Sequence, residues 1–413
     1  MQLVEQHIIK QDNQYFKEID NLCFLSKNLY NSCLYLIRQE FIHNKNNVLY
    51  ELHHRMKNTE QYWALPAKVS SNVIIAVQHN FKSFFAALKV YNINPSKFTS
   101  KPKLPYYLDK ENGRFFVSYT NQAISKKVFK KTNKIKLSKS NIEFKTKIND
   151  FNVIDCIRII PKIGYYVIEV VSTIEDIPIL LNNDKYSSID LGVNNLATVV
   201  SNIKEIKPYI INGKPLKSIN QYYNKKKACL QSILRIRNKK YGSKQLNKLN
   251  LKRKCKVDNY LHKASKIIIN ELINNNINTL IIGKNNYWKN ESRLNKTNNQ
   301  NFVQIPHSRF IDMLKYKCER RGINVMCREE SYTSKASFLN LDYIPSYKKN
   351  DKTVYVFSGY REHRGIYKIK NSNIKINSDV NGAYNILRKA IPNAFANGIE
   401  GIGVYPEIIN ILK

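Results

Sequence analysis

The stretch Tyr186-Ser-Ser-Ile-Asp190-Leu-Gly192-Val-Asn-Asn-Leu-Ala-Thr-Val-Val200 places an acid inside an apolar strand, just before a glycine turn and a second apolar strand. Residues 186–191 and 196–201 therefore read as a hairpin. An unpaired carboxylate in such a strand is costly to bury. Asp190 either caps its own turn, as hairpin aspartates readily do, or serves a cation.

Working outward, a second acid stands in Ile376-Asn-Ser-Asp379-Val-Asn381-Gly382-Ala383-Tyr-Asn385-Ile-Leu-Arg388. Alone, Asp379 reads as the N-cap of the helix that follows. Between the two motifs the chain alternates strands (186–191, 196–201, 278–283, 322–328) with helices (about 218–237, 258–275, 307–320, 380–390), which predicts an α/β unit with a mixed sheet. A first-strand Asp in a hairpin and a late Asp at a helix start are together the two ends of an RNase H-like metal site. Its chemistry needs hard oxygen ligands for Mg2+, because two ions about 3.5–4 Å apart can activate water and stabilise a leaving 3′ oxygen.

Upstream, residues 2–10 read as a strand. Ile19, Leu22, Leu25, Leu29, Cys33, Leu36 and Ile37 recur at helical spacing, and Asn44–Asn47 is a polar break. A second helix begins near Pro66, with Val69, Val73, Val77, Phe81, Phe84, Phe85 and Leu88 on one side. Pro95–Pro105 reads as a linker. The period then changes to two, through Phe115, Val117 and Tyr119, then Ile135, Leu137, Ile142 and Phe144, with a hairpin over 156–160 and 165–171. Strand 2–10 is expected to join this sheet, making the helical pair an insertion in a β domain, with the next seam at Asn182–Asp184.

The 413 residues carry 68 Lys and Arg against 31 acids, a net charge of +37. A/T-rich codons can explain where so many lysines come from, but the charge still attracts phosphate backbones and favours a nucleic-acid partner over a membrane or an acidic protein. The span 224–263 holds 14 Lys or Arg and one acid, Asp258. It reads as a solvated helix face or as a phosphate-contacting one, with Lys225, Lys226, Lys227, Arg235, Arg237, Lys252, Arg253 and Lys254 as candidate contacts. The seven cysteines, at 23, 33, 156, 229, 255, 318 and 327, form no CxxC pair, so neither a disulfide framework nor a cysteine zinc site follows. No apolar run is long enough to span a bilayer and MQLVEQHIIK is not a signal peptide, which predicts a cytoplasmic, nucleoid-associated protein, or a nuclear one in a eukaryotic host.

IDLGVNNLAT resembles the RuvC-I motif of the transposon-encoded TnpB (OrfB) proteins, and SDVNGAYNILRK resembles their RuvC-III motif. Asn301–Lys317 with Arg321–Val325 is similar to the family's helix-to-strand segment, and the likeness extends to LPAKVSSNV. The resemblance implies a multidomain α+β protein. A β-barrel-like wedge module (1–10 and 96–180) would hold an inserted helical recognition lobe (11–95). An RNase H-like (RuvC) nuclease domain (181–390) and a tail (391–413) would follow. It implies a guide RNA from the transposon end, a double-stranded DNA target, and two Mg2+ ions, with Mn2+ as the substitute.

Two departures stand out. Gly283 occupies the place where most relatives carry the RuvC-II glutamate, while Glu329 and Glu330 follow the next strand, as in family variants such as the Fanzor proteins. Glu330 aligns best, so Asp190, Glu330 and Asp379 are the expected catalytic ligands with Glu329 in reserve. The other reading makes the two glutamates ordinary surface acids paired with Lys or Arg. The family's zinc ribbon is degenerate here: Ala336 replaces a first cysteine and 337–372 holds no other. No zinc is expected, and the insert (331–372) is expected to persist as a metal-free hairpin over the site. A nuclease-inactive guided repressor and a conventional RNase H-like transposase are the alternative functions.

Overall fold

The structure, a computed structural model, describes residues 1–42, 48–238, 242–285, 296–347, 353–363 and 365–411. It divides into two units, Met1–Glu175 and Asp176–Lys413. The expected polar break at 44–47 lies outside the described residues.

The first unit runs β1 (Gln2–Ile9), α1 (Phe16–Ile42), α2 (Val48–Met56), α3 (Glu60–Trp63), α4 (Ala67–Ile93), β2 (Val117–Thr120), α5 (Lys126–Thr132), β3 (Lys134–Lys136), β4 (Glu143–Lys145), β5 (Ile154–Lys162) and β6 (Tyr165–Thr173). Strand β1 pairs antiparallel with β6, Gln2 opposite Thr173 and Ile9 opposite Tyr166, so the helices are inserted after the first strand of the sheet. Among the described residues that sheet is four-stranded and open, in the order β1-β6-β5-β2. The stripe of α1 packs against α4, burying Ile19, Leu29, Cys33, Ile37, Val69, Val73, Val77 and Phe81. Ser26 Oγ donates to the Phe116 carbonyl (2.8 Å) and Asn72 Nδ2 to that of Ser118 (2.9 Å), which pin both helices to the β2 segment. The stripe fades toward the end of α4, where Phe85 and Ile93 are exposed.

The second unit runs β7 (Tyr186–Leu191), β8 (Asn195–Ser201), β9 (Tyr209–Asn212), α6 (Lys214–Asn238), α7 (Lys244–Asn274), β10 (Thr279–Gly283), α8 (Lys296–Gln304), α9 (His307–Glu319), β11 (Asn324–Arg328), β12 (Gly359–His363), β13 (Ile366–Ile369), β14 (Lys375–Asn377), α10 (Ser378–Ala390) and β15 (Glu407–Ile409). Its six-stranded sheet has the order β11-β10-β7-β8-β9-β15. The hairpin β7–β8 is antiparallel with Asp190 opposite Thr198, whereas β10 runs parallel to both β7 and β11. Alternation along the strands sorts the faces. Ile189, Leu191, Leu280 and Ile282 meet α7 and α9. Tyr186 and Ile281 meet Ile386 and Leu387 of α10, and Ser188 Oγ donates to the Ala383 carbonyl (2.7 Å). Asp190 and Gly283 fall on that second face by the same period.

Three expectations shift. The division falls at 175/176 rather than near 182, because Leu180 N donates to the Gly322 carbonyl (2.8 Å) and ties the linking segment to the second unit. Helix α7 starts at Lys244, well before 258, with Ser243 Oγ accepting from Leu246 N (3.1 Å). Its first turns bury little beyond Leu246 and Val257, so the apolar period was too sparse to read. Residues 391–411 are no tail: β15 pairs parallel with β9, and Phe395, Ile399, Ile402 and Val404 pack on Tyr384 and its neighbours.

Candidate active site

Strand β7 carries Asp190 to the end of the sheet, on the face covered by α10. Glycine at 382 is what lets the helix pass: a Cβ there would lie 2.9 Å from Asp190 Oδ2. In the first turn of α10, Asn377 is the N-cap, its Oδ1 accepting from Asp379 N (3.0 Å) and Val380 N (3.2 Å). Asp379 is thereby relieved of the capping role that its position alone suggested. Its Oδ2 instead accepts from Asn195 Nδ2 (2.6 Å), and Oδ1 faces Arg361 Nη2 (3.4 Å).

Glu330 lies two residues beyond β11, yet its carboxylate reaches back over the neighbouring strand. In register, Gly283 sits beside Arg328, and a Cβ on Gly283 would stand 2.7 Å from Glu330 Oε2 and 2.5 Å from Ile386 Cδ1. The glutamate thus fills the niche that a side chain at 283 would occupy. Asn285 fixes it reciprocally, Nδ2 donating to Oε1 (3.3 Å) and Oδ1 accepting from Glu330 N (3.1 Å). The other oxygen, Oε2, is buried with no hydrogen-bond partner among the described residues. A buried acceptor left so is uncommon and calls for a cause.

The electrostatics agree with a crowded acidic site. Burial, then the charges of Glu330 and Asp379, hold Asp190 well above the usual carboxylate range, with Arg361 opposing. Burial, then Glu329, pushes Glu330 up to about 7, opposed by Lys389. Among the described residues no three His, Cys, Asp or Glu side chains already close on a single point as a ligand cluster. Asp379 is engaged instead by Asn195 and Arg361. The unpartnered Oε2, the raised pKa values and an all-oxygen donor set nevertheless fit a hard divalent cation. Glu329, the reserve candidate, goes elsewhere: its Oε2 meets Lys389 Nζ at 2.5 Å.

A cleft of about 790 Å³ opens beside Asp190 and Asp379, lined also by Asn195, Lys214, Lys217, Phe302 and Arg361. Lys214, Lys217 and Arg361 were not singled out from the sequence, because each stands in a segment with no motif of its own. Arg361 comes from the β12–β13 hairpin of the insert, part of which (348–352 and 364) lies outside the described residues. Two asparagines of α10, one turn apart, hold the start of that insert: Asn381 Nδ2 and Asn385 Nδ2 both donate to the Ala336 carbonyl (2.8 and 2.7 Å). His307 Nε2 lies 2.9 Å from the Gly192 carbonyl and braces the turn after Asp190.

The basic candidates divide. Lys225, Lys226, Arg235 and Lys252 are exposed on α6 and α7, and Lys227 is half-buried. Arg253 is occupied within the protein, donating to Asn220 Oδ1 (2.8 Å) and the Gln304 carbonyl (3.2 Å) and stacking over Tyr223, while Lys254 pairs with Asp258 (2.8 Å). These two brace the helices, since an inward-facing cation needs its partner inside. The side chain of Arg237 lies outside the described residues.

Gly382→Ala is expected to displace the Asp190 carboxylate and slow any reaction that depends on it about 10- to 100-fold, the scale of an ångström-sized misplacement of a reacting group. The thermal midpoint should change little, since the preference of a helix for Ala over Gly, about 1 kcal/mol, offsets the cost of displacing the Asp190 carboxylate. Single-turnover rates and a melt on the same sample check both.

Residues 169–289 match the family model OrfB_IS605, described as "Probable transposase", and residues 307–386 match the Cas12f1-like TNB domain. A solved structure titled as the Cas12f1-sgRNA-target DNA complex aligns with a TM-score of 0.50 at 14% identity, covering 90% of this chain and 81% of that one. A second, a CRISPR-Cas12f ternary complex, aligns with a TM-score of 0.36 at 15% identity over 90% and 80%. No curated protein matches the chain. Residues 169–289 are thus similar to the OrfB-type probable transposases, and the chain has a multidomain α+β fold like that of Cas12f1. More particularly, the matched segments resemble the TnpB (OrfB) proteins. Among the described residues no helix is long and apolar enough to cross a membrane.

Proposed function

We propose that this chain is an RNA-guided DNA endonuclease whose RNase H-like (RuvC) domain hydrolyses phosphodiester bonds of a double-stranded target, with a transposon-derived guide RNA supplying the sequence choice. The observation that carries the reading is the carboxylate of Glu330, lodged over Gly283 with one buried oxygen unpartnered, on the sheet face that also presents Asp190. The order β9-β8-β7-β10-β11, antiparallel and then parallel, supports it by putting a first-strand Asp at the centre of the sheet. The solved Cas12f1 complex with RNA and target DNA supports the partners.

Asp190, Glu330 and Asp379 would hold two Mg2+ or Mn2+ ions. When bound, these would lower the pKa of attacking water and offset charge on the leaving oxygen. The remaining work falls to the chain. Arg361, Lys214 and Lys217 line the cleft as cations that grip and orient the scissile backbone, Asn195 orients Asp379, and Lys225, Lys226, Lys227, Arg235 and Lys252 follow the backbone further away. Residues 1–175 form the wedge and recognition lobe.

The test is plasmid cleavage by purified protein carrying its copurified RNA, with Mg2+ and a matched target. Cutting by the wild type that is abolished in Asp190→Ala is expected. Tight, guide-dependent binding without cuts would leave a repressor, and strand-transfer products made without RNA would leave a conventional transposase.

A further inference from the structure

We propose that Lys389 is a positioning residue for Glu330, an inference that rests on the reading of Glu330 as a cation ligand. A ligand at the end of a strand is held by its ladder; Glu330 is not, because β11 ends at Arg328 and the chain turns immediately afterwards. Asn285 holds Glu330 from the β10 side, and the turn that carries it needs a second anchor.

Lys389 supplies that anchor. Its ammonium donates to Glu329 Oε2 (2.5 Å) and to the carbonyls of Ser331 (2.9 Å) and Pro345 (3.0 Å). Three acceptors take all three of its protons, and its side chain is only 10% exposed while that of Glu329 is 41% exposed. Two of the three contacts are to the residues on either side of Glu330, so the bracket closes around the ligand itself. Lys389 also belongs to α10, the helix that begins with Asp379 and passes over Asp190 through Gly382. One rigid helix therefore fixes the late-arriving carboxylate in the frame of the other two. Glu329, expected as a spare ligand, is the handle by which the turn is held.

Mn2+ binding by the full-length chain, followed by electron paramagnetic resonance, tests this without reliance on cleavage. Lys389→Met and Glu329→Gln should each weaken Mn2+ binding about tenfold or more, the usual scale for residues that orient metal ligands. Lys389→Arg should retain most of the affinity, and the double variant Lys389→Met/Glu329→Gln should bind no worse than Lys389→Met alone. Glu329→Gln removes only a half-exposed partner, so it reports even where the lysine variant melts early. If Glu330→Gln weakens Mn2+ binding while Lys389→Met and Glu329→Gln do not, the positioning role is overturned and the ligand reading stands. If Glu330→Gln binds Mn2+ like the wild type, the ligand reading itself has failed and this role falls with it.

Discussion

Glu330→Gln is expected to lower the single-turnover rate of target cleavage about 10³-fold or more, a loss of several kcal/mol in transition-state stabilisation. The amide keeps the shape that fills the niche over Gly283 and can keep the contacts to Asn285. What it lacks is the negative oxygen that a hard cation demands. Binding of guide RNA and matched DNA should stay within a few-fold of wild type, because the basic surfaces of α6 and α7 are untouched. Glu329→Gln at saturating Mg2+ should cut at near the wild-type rate, as its carboxylate faces Lys389. A Glu330→Gln protein that cuts like the wild type would remove this residue from the mechanism.

The second large effect is on stability. The folded-state pKa of Glu330 lies near 7, above its ordinary value of 4.5, and that of Asp190 is also raised. A carboxyl with a raised pKa favours the folded state while protonated, and that contribution is lost as pH rises through the folded pKa. In EDTA the wild type should therefore lose stability between about pH 5 and 8, on the order of 3 kcal/mol at most from Glu330, or roughly 6–12 °C in the melting midpoint for a unit of this size. Carboxyls held low, such as Asp20 and Glu362, complete their titration below this window and leave it flat. Burial lowers the pKa of His262, which acts with the opposite sign but equally in every variant. Glu330→Gln should lose much of the slope and exceed the wild type in midpoint at pH 8. Millimolar Mg2+ should restore the wild type and leave the variant little changed. Parallel slopes for the two proteins in EDTA would contradict the raised pKa assigned to Glu330.

Much of this was legible in the residues. Asp190 stood out because a charge interrupts an apolar strand, and the strands around it were readable since buried parallel strands such as Thr279–Gly283 are continuously apolar. The helical insertion after the first strand followed from the change of period from 3.6 to two. Less legible were α7 before residue 258, where a solvated helix shows little apolar period, and the segment 391–411, whose short apolar residues signal burial only once Tyr384 is beside them.

Sequence by itself determined which residue types could bear the chemistry: hard-oxygen acids at 190, 330 and 379, a glycine where a glutamate is usual, and a surplus of cations for phosphate. Only the tertiary structure decided among near neighbours. Adjacent residues in a turn point in different directions, so Glu330 turns into the niche above Gly283 while Glu329 turns out to Lys389, and of three consecutive cations Lys252 faces solvent while Arg253 and Lys254 are spent on partners. Direction is set by what packs against the backbone, and that is a property of residues brought together from far apart in the chain.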